Sequence, residues 1–392
     1  MSELEPSLHG YLRPNGAWGI RNHVLVLPLH AAANLAAERM VMGISGAVAI
    51  GHAWESPPDD PDHDRIARTL AGFAANPNCY TTVMVGVFKE DIDIAEAAVQ
   101  RGGRVHLVAM ADYGGTLATV AACRPLVKRL AAAAADQPRE PMPVSGLVLG
   151  LECGGSDALS GITANPALGA ASDLLVAGGG TSILAETPEL IGAEHLLAAR
   201  AVTPEVGRQV IDVITGFEAA IRELGVDVRG AQPTPGNQAG GLTTIEEKSL
   251  GAAKKGGDAP VVGVVDFADR PRGPGLWIMD TPGHDIEQMV GMVAGGANIA
   301  AFTTGRGTPT GSAIAPVVKI ASNTAIFRRM QGDIDLNAGA ILDGEETLES
   351  MGRLIYRTLL ETVAGKPTSA ERRGNREFAI SRTVSPMTAF SG

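Results

Sequence analysis

Short aliphatic runs alternate with alanine-rich amphipathic segments along the first 135 residues. This alternation constrains the fold more than any other feature. Strands are predicted at 23–29, 46–51, 80–87 and 104–110, and a helix is predicted after each of them. Four strand-then-helix units in sequence are typical of a parallel sheet with helices on its faces.

The alternation resumes after a proline-rich break at 136–144, where we place a domain boundary. We predict an N-terminal α/β domain at 1–138 and a C-terminal α/β domain at 139–392. The fold class is therefore α/β, with two Rossmann-like domains whose largely parallel sheets are flanked by helices. A stretch rich in Gly, Pro, Thr and Lys, 227–258, is predicted to be a long functional or partner-facing excursion.

Charge and cysteine usage exclude several classes of protein. The formal net charge is −11 and no basic run is present, which disfavours nucleic acid as a partner. Three cysteines without CxxC spacing argue against a disulfide framework and a self-contained zinc site. No secretory signal is visible, and no apolar run approaches the roughly 18 residues of a membrane span. A soluble cytoplasmic protein, not bound to membranes, is expected.

The run SGLVLGL at 145–151 reads as a buried strand and opens into Glu152, Cys153, two glycines, Ser156 and Asp157. Proteins with α/β folds place their sites at the carboxyl ends of strands. Four reactive residue types within six positions make this segment a candidate site. The alternative is a tight turn in which Asp157 caps a helix and Cys153 is an inert buried residue.

Other predicted strands also end in polar, glycine-rich loops. They contribute His52, Lys89, Glu90 and, in the stretch 303–323, Arg306. Each loop has a structural alternative, either a solvated surface loop or a helix start. Cationic side chains that can bind an anion, together with carboxylates and candidate bases, are suited to an enzyme whose substrate is a small hydroxy acid. Proton abstraction next to a carboxylate and loss of water need a base, an acid and an electrophile.

Several segments carry a family resemblance. They are GYLRPNGAWGIRNHVLVLP at 10–28, RTLAGFAANPN at 68–78, the block from LECGGSD to IGAE at 151–194, MDTPGHD at 279–285, FTTGRGTPTG at 302–311 and DIDLNAG at 333–339. In these segments the chain resembles the altronate/galactarate dehydratase family, which also includes the large subunit of sulfolactate sulfo-lyase. The resemblance implies lyase chemistry on 2-hydroxy acids and dependence on a metal, usually iron. It also implies a small substrate-binding module, expected here as a separate small subunit.

The chain departs from the family in its cysteines. Where the family has cysteines, this sequence has Ala32, the segment AWESPP after His52, and Lys89; only Cys153 remains. Thiolates hold iron, so this loss argues against an Fe²⁺ site. The remaining metal-ligand candidates are Cys153, His52 and His30. His30 and His52 with Glu55 and Glu90 could make a harder site for Mg²⁺, Mn²⁺ or Zn²⁺, or Lys89 could replace the metal charge.

We predict a lyase, specifically a hydro-lyase, acting on a small anionic 2-hydroxy or sugar acid such as altronate or galactarate. The alternatives are a sulfolactate-type lyase, a hydrolase or a racemase, and a binding or regulatory subunit without catalysis. A homo-oligomer is expected. The predicted catalytic residues are Glu152, Asp157, His52, Glu90 and Lys89. The predicted substrate-binding residues are Arg21, Asn22, Asn165, Arg306, Lys319 and Asn323.

Overall fold

The computed structural model of the protein describes residues 7–54, 62–89 and 92–382. Its strands are, in chain order, β1 (His9–Leu12), β2 (Trp18–Gly19), β3 (His23–Pro28), β4 (Ala47–Ala49), β5 (Cys79–Gly86), β6 (Val105–Ala109), β7 (Glu140–Pro141), β8 (Val148–Gly154), β9 (Thr181–Leu184), β10 (Val261–Val265), β11 (Gly275–Met279), β12 (Ile299–Thr304), β13 (Val317–Ala321) and β14 (Leu336–Asn337). Its helices are α1 (Asn34–Val41), α2 (His63–Ala74), α3 (Ile92–Gln100), α4 (Thr116–Asp136), α5 (Ala164–Ala177), α6 (Glu194–Ala199), α7 (Pro204–Glu223), α8 (Val228–Ala231), α9 (Pro235–Ala239), α10 (Ile245–Ala253), α11 (Asp285–Ala294), α12 (Thr324–Arg329), α13 (Leu348–Val363) and α14 (Ser369–Arg373).

Two parallel sheets form the body of the protein. The first sheet has the order β4-β3-β5-β6 and the second β10-β11-β9-β8-β12-β13-β14. All pairings between neighbouring strands in both sheets are parallel. This confirms the predicted fold class, α/β with Rossmann-like parallel sheets flanked by helices. In a third, antiparallel sheet, β1 pairs with both β2 and β7, so it joins segments from both sides of the predicted boundary at 138/139. That boundary stays a prediction.

The second sheet is buried on both faces, as its near-continuous aliphatic strands predict. Leu149 and Leu151 of β8 belong to a core cluster shared with helices α5 and α13. Ala300 and Phe302 of β12 belong to a different cluster, which includes methionines of α11. Ile299 and Ala301 of β12 belong to the first cluster, so β12 presents alternate residues to two separate helical layers.

Three elements differ from the sequence-based expectation. Strand β8 continues through Glu152 and Cys153 to Gly154, so the predicted site begins inside the strand. The excursion at 227–258 contains α8, α9 and α10, each with an N-cap side chain that accepts a backbone hydrogen bond. Strand β13 lies inside the stretch 303–323, which was predicted as a glycine-rich loop. The sequence did not indicate this strand because the charged Lys319 interrupts its apolar run.

The two parallel sheets are joined through close helix packing and buried amides. Helix α2 approaches α11 so closely that a Cβ added at Gly72 would lie 2.4 Å from the Ala294 carbonyl oxygen. The fully buried Asn78 side chain donates hydrogen bonds to the carbonyls of Asn298 and Ile314, at 2.7 and 2.9 Å. Within the described residues, no helix combines the length and apolar character that a membrane crossing needs.

Candidate functional site

The ECGG segment ends β8 at the carboxyl edge of the second sheet. Glycine is required at positions 154 and 155 for two different physical reasons. A Cβ at Gly154 would lie 2.1 Å from Oδ2 of Asp285 and 2.5 Å from the Phe302 ring, so only glycine lets α11 begin this close to β8. Gly155 has a φ of +59°, a conformation that favours glycine. The strand therefore ends in a sharp turn beneath the first turn of α11.

Cys153 points toward α5, where it joins a set of polar side chains. Its Sγ lies 2.8 Å from Ser156 Oγ and 3.9 Å from Asn165 Nδ2. The Asn165 amide also donates to Gly251 O at 3.0 Å and accepts from Thr303 Oγ1 at 2.6 Å. Burial raises the pKa of the Cys153 thiol, which keeps the thiol protonated near neutral pH.

A cavity of about 520 Å³ opens onto these side chains, and we call it the Cys153 cavity. Glu189 and Lys248 line it together with Cys153 and Asn165. Lys248 Nζ lies 2.8 Å from Glu189 Oε1 and donates to the side-chain oxygens of Gln232 and Asn237, both at 3.0 Å. The other carboxylate oxygen of Glu189, Oε2, has no hydrogen-bond partner among the described residues. Burial raises the pKa of Glu189, and Lys248 opposes that rise.

Behind Cys153 lies a fully buried ion pair. Glu186 Oε1 accepts a hydrogen bond from the Cys153 backbone N–H at 3.1 Å, and its Oε2 pairs with Lys255 Nζ. Neither charged side chain is exposed to solvent. Glu186 has a φ of +74°, which is uncommon for a residue other than glycine. Thr281 Oγ1 accepts from the Glu186 N–H at 2.8 Å and helps to hold this conformation.

Glu152 points to the opposite face, toward α11. The Gln288 side-chain amide satisfies its hydrogen-bond partners when its nitrogen faces Glu152 and its oxygen faces the His284 N–H. In that orientation the nitrogen lies 3.1 and 2.9 Å from the two Glu152 carboxylate oxygens. Burial first, and then the nearby Asp285, raise the pKa of Glu152 well above its usual value. The Glu152 carboxyl group is therefore a buried acid that resists ionisation.

Lys319 lies on the same face of the sheet as Glu152, two strands away. Phe302 of β12 is in register with Glu152 on one side and with Lys319 on the other. The Lys319 ammonium lies 3.6 Å from the centre of the Phe302 ring and donates to Thr308 O at 3.0 Å. Burial lowers its pKa to about 7, although Asp285 and Glu152 oppose that shift.

Asp157 ties its own loop to the loop that follows β13. Its Oδ1 accepts from Ser160 N and Oγ at 2.8 and 2.7 Å and from Ser322 Oγ at 2.8 Å, and its Oδ2 accepts from Asn323 Nδ2 at 3.0 Å. Asn323 also caps α12 by accepting from Ile326 N. Both predicted residues line the site region, but their polar atoms already serve hydrogen bonds within the protein. The geometry supports a scaffold role for them.

Arg306 lies in the loop after β12, between Gly155 and α9. A Cβ added at Gly155 would lie 3.2 Å from the Arg306 Cβ. A Cβ added at Gly236 would lie 2.5 Å from the Arg306 Nη1. The side chain is exposed, and its guanidinium makes no hydrogen bond to any residue that the structure describes. It therefore keeps the donors that an anionic ligand would need.

The remaining predicted residues lie elsewhere. Arg21 and Asn22 precede β3, at the amino edge of the first sheet. Arg21 pairs with Glu371 at 2.6 Å and Asn22 donates to Ala134 O at 2.7 Å, so their donors hold the fold together. Lys89 is 71% exposed and pairs with Asp112 at 2.9 Å, which raises its pKa. It does not lie in a tight site. Glu90 and Glu55 lie outside the described residues.

The metal ligands predicted from sequence do not form one group. His52 and His30 follow strands of the first sheet, whereas Cys153 belongs to the second. The His52 ring bonds to Pro28 O at 2.8 Å through Nε2, and its Nδ1 accepts from Trp54 N at 3.2 Å. Among the described residues no three or more His, Cys, Asp or Glu side chains are arranged to hold a metal. The iron implied by the resemblance stays an expectation, because Glu55 and Glu90 lie outside the described residues. The Mg²⁺, Mn²⁺ or Zn²⁺ site stays a prediction.

Sequence reasoning missed five charged residues of this region, Glu186, Glu189, Lys248, Lys255 and Asp285. Glu186 and Glu189 follow the aliphatic run TSILA at 181–185, which is a signal of the kind used for the other loops. Lys248 and Lys255 lie in the excursion predicted to be functional, where sequence alone gave no reason to single out these lysines. Glu186, Glu189 and Asp285 lie near one another because β8, β9 and β11 are neighbouring parallel strands. Lys248 comes from α10 and Lys255 from the 3-10 turn that follows it.

Comparisons with known proteins find one family along most of the chain. Residues 144–385 match the family described as D-galactarate/altronate dehydratase, C-terminal, and residues 10–135 match D-galactarate dehydratase/altronate hydrolase, second domain. The chain is 37% identical over 375 residues to (2R)-sulfolactate sulfo-lyase subunit beta of Chromohalobacter salexigens, covering 95% of this chain and 96% of that protein. It is 33% identical over 383 residues to altronate dehydratase of Bacillus subtilis, covering 95% of this chain and 76% of that enzyme.

Galactarate dehydratase (L-threo-forming) of Escherichia coli is 43% identical over 228 residues, covering 58% of this chain and 43% of that enzyme. These relatives are named as dehydratases and as a subunit of a sulfo-lyase, so the family is enzymatic and its chemistry is that of lyases. The two family matches together span most of the chain. The chain belongs to the D-galactarate/altronate dehydratase family.

Proposed function

We propose that this chain is a lyase that removes water, or a comparable leaving group, from C3 of a small 2-hydroxy carboxylate. One observation carries the proposal: three buried lysines and several carboxylates surround the carboxyl end of β8. Lys248 is 6% exposed, and Lys255 and Lys319 are fully buried. Lysines are almost never buried in this way unless their charge is paired or used. Positive charge held next to acid groups and away from bulk water is suited to stabilising an enolate.

The Cys153 cavity offers two groups for proton transfer. Glu189 Oε2 lacks a partner among the described residues, and the raised pKa of this carboxyl brings it closer to the range of an effective general base. It would take the proton from C2. The C3–O bond would then break, and the departing hydroxide would take a proton from the Cys153 thiol. The enol product would tautomerise to a 2-oxo acid.

A sulfolactate-type elimination is the second candidate, favoured by the identity to the sulfo-lyase subunit over nearly the full length of both chains. There the C3–S bond would break in place of the C3–O bond, and sulfite would leave. The name of that relative as a subunit also supports a separate small partner subunit for this chain. A cytoplasmic location and a homo-oligomeric state belong to the same proposal.

The test is turnover of a substrate panel by the purified chain. Altronate, galactarate and sulfolactate are incubated with the chain, with and without a small partner subunit and added Fe²⁺ or Mg²⁺, and 2-oxo acid and sulfite are measured. We expect Glu189→Gln to lower kcat by about 100-fold or more, the usual contribution of a general base. The matched control is Glu205→Gln, an exposed glutamate of α7. Absence of turnover under all these conditions would refute the proposal.

A further inference from the structure

At its carboxyl end, strand β8 is paired further along one neighbouring strand than along the other. Its pairing with β12 continues to Gly154, whereas its pairing with β9 ends at Leu151, opposite Leu184. Beyond Leu151, the described part of β9 therefore offers no ladder partner to the backbone of β8. Cys153 lies in this last stretch and is 3% exposed. A buried backbone N–H without an acceptor is unfavourable, so this position needs another partner.

The Glu186 side chain supplies the acceptor that the backbone of β9 does not. Glu186 lies two residues after the end of β9, and its Oε1 accepts the Cys153 N–H at 3.1 Å. Its φ of +74° is strained for a residue with a side chain, and strain of this kind persists only where the surroundings impose it. Here two threonines impose it. Thr281 Oγ1 accepts from the Glu186 N–H at 2.8 Å, and Thr187 Oγ1 accepts from the Thr281 N–H at 3.0 Å.

Lys255 fixes which carboxylate oxygen of Glu186 faces Cys153. Its ammonium pairs with Oε2, which leaves Oε1 for the Cys153 N–H. Both charged side chains are fully buried. A buried ion pair is often no more stable than apolar side chains of similar volume, so stability alone does not account for this one. The pair also supports a hydrogen bond to the backbone of the residue whose thiol lines the Cys153 cavity.

We propose that Glu186 is a positioning residue for Cys153 and that Lys255 holds it in place. This inference rests on the proposed function, in which the Cys153 thiol gives its proton to the departing hydroxide. Sγ lies 2.8 Å from Ser156 Oγ, and its place in the cavity depends on the backbone at 153. Without the Glu186 acceptor, the last residues of β8 would lose their bond on the β9 side. A displacement of about 1 Å at a reacting group can lower the rate about 100-fold.

Two double variants isolate the acceptor. Glu186→Gln combined with Lys255→Met keeps a side-chain oxygen for the Cys153 N–H, whereas Glu186→Met combined with Lys255→Met has a side chain of similar length without it. Neither variant carries a buried charge, so their comparison reports the acceptor. We expect kcat of the Glu186→Met variant to be about 100-fold below that of the Glu186→Gln variant, with KM values within about threefold, because Cys153 acts on the leaving group and not in binding. Equal kcat values would overturn the inference.

Amide exchange tests the contact whether or not the double variants turn over substrate. The chain has three cysteines, so labelling cysteine with nitrogen-15 gives three backbone amide signals in NMR spectra, and Cys79 and Cys123 serve as internal references. We expect the Cys153 amide to exchange with deuterated water about tenfold or more faster in the Glu186→Met double variant than in the Glu186→Gln one, with the other two amides unchanged.

Equal exchange rates of the Cys153 amide in the two double variants would overturn the inference. So would faster exchange of all three amides, since that would report a general loss of stability. If the rates differ as expected but the parent chain turns over no substrate, the proposed function fails and the contact between Glu186 and Cys153 stands.

Discussion

Lys319 has an environment that few lysines tolerate. Its ammonium lies over the Phe302 ring and donates a hydrogen bond to the Thr308 carbonyl oxygen. The charged groups that act on it are Asp285, Glu152, Glu377 and Asp335, and they only partly offset the loss of hydration. A lysine with a pKa of about 7 is only partly protonated at pH 7 and can change its charge during a reaction, whereas a surface lysine stays charged.

The stability of the protein should therefore depend on pH through Lys319. Its pKa is about 7 in the folded protein and 10.5 when unperturbed, so the unfolded chain binds more protons between these values. The free energy of unfolding should rise with pH across that window, by at most about 1.4 kcal/mol per pH unit from this residue. Below pH 7 both states are protonated, and the destabilisation is complete. In Lys319→Met this slope should disappear from urea unfolding curves recorded between pH 7 and 10.

The matched control for that experiment is Lys366→Met. Lys366 is 61% exposed and pairs with Glu361 at the surface, so its removal should leave the slope unchanged. Equal slopes in Lys319→Met and the parent chain would show that Lys319 is charged and solvated in the folded state, contrary to the structure.

At the scale of elements, the Glu186–Lys255 pair joins the loop after β9 to the 3-10 turn that follows α10. Glu186 also bonds to the backbone of β8, so one carboxylate connects three segments around the site. Removing one partner of a buried ion pair leaves the other charge uncompensated, which costs about 3–5 kcal/mol. We expect Lys255→Met to lower the free energy of unfolding by that amount in urea titrations.

The double variant distinguishes a broken pair from a simple packing defect. Glu186→Gln combined with Lys255→Met removes both charges, so it should recover most of the stability that Lys255→Met loses. Lys254→Met is the matched control. Lys254 is exposed and adjacent in sequence, and we expect a change within about 0.5 kcal/mol. A double variant less stable than Lys255→Met would contradict the pairing.

Sequence patterns predicted the elements better than the site. The strands of the first sheet follow from the pattern of their apolar residues, and their predicted bounds agree within a few residues with β3 to β6. The helix predicted after each strand is present as α1, α2, α3 or α4. The segment at Glu152 and Cys153 was found because both residues follow an aliphatic run. The two side chains point to opposite faces of β8, however, and only the pairing of β8 with its neighbours reveals which groups each one meets. Lys255 lies about one hundred residues away, in a segment without a strand signal.

At the scale of the whole molecule, buried amides join the two parallel sheets, together with the α2–α11 packing and an apolar cluster that the sheets share. Asn76 donates to Val293 O and Ala297 O at 2.8 and 2.9 Å. Asn78 donates to Asn298 O and Ile314 O and accepts from the backbone of Ile20 at 2.8 Å. These bonds run from the start of β5 in the first sheet to segments beside α11 and β12 of the second. The positions of His30 and His52 relative to Cys153 therefore depend on the segment 76–78.

Asn78→Ala should uncouple the two sheets. The substitution leaves two carbonyls and at least one backbone N–H buried without their partner, at a cost of about 1–3 kcal/mol for each group. Differential scanning calorimetry of the parent chain should show one cooperative transition, because the buried amides and the α2–α11 contact couple the sheets. In Asn78→Ala that transition should shift to lower temperature and separate into two, since each sheet keeps apolar clusters of its own. The control is Asn15→Ala, which removes only an exposed hydrogen bond to Arg101 O. A single transition with an unchanged Tm in Asn78→Ala would mean that apolar packing alone holds the sheets together.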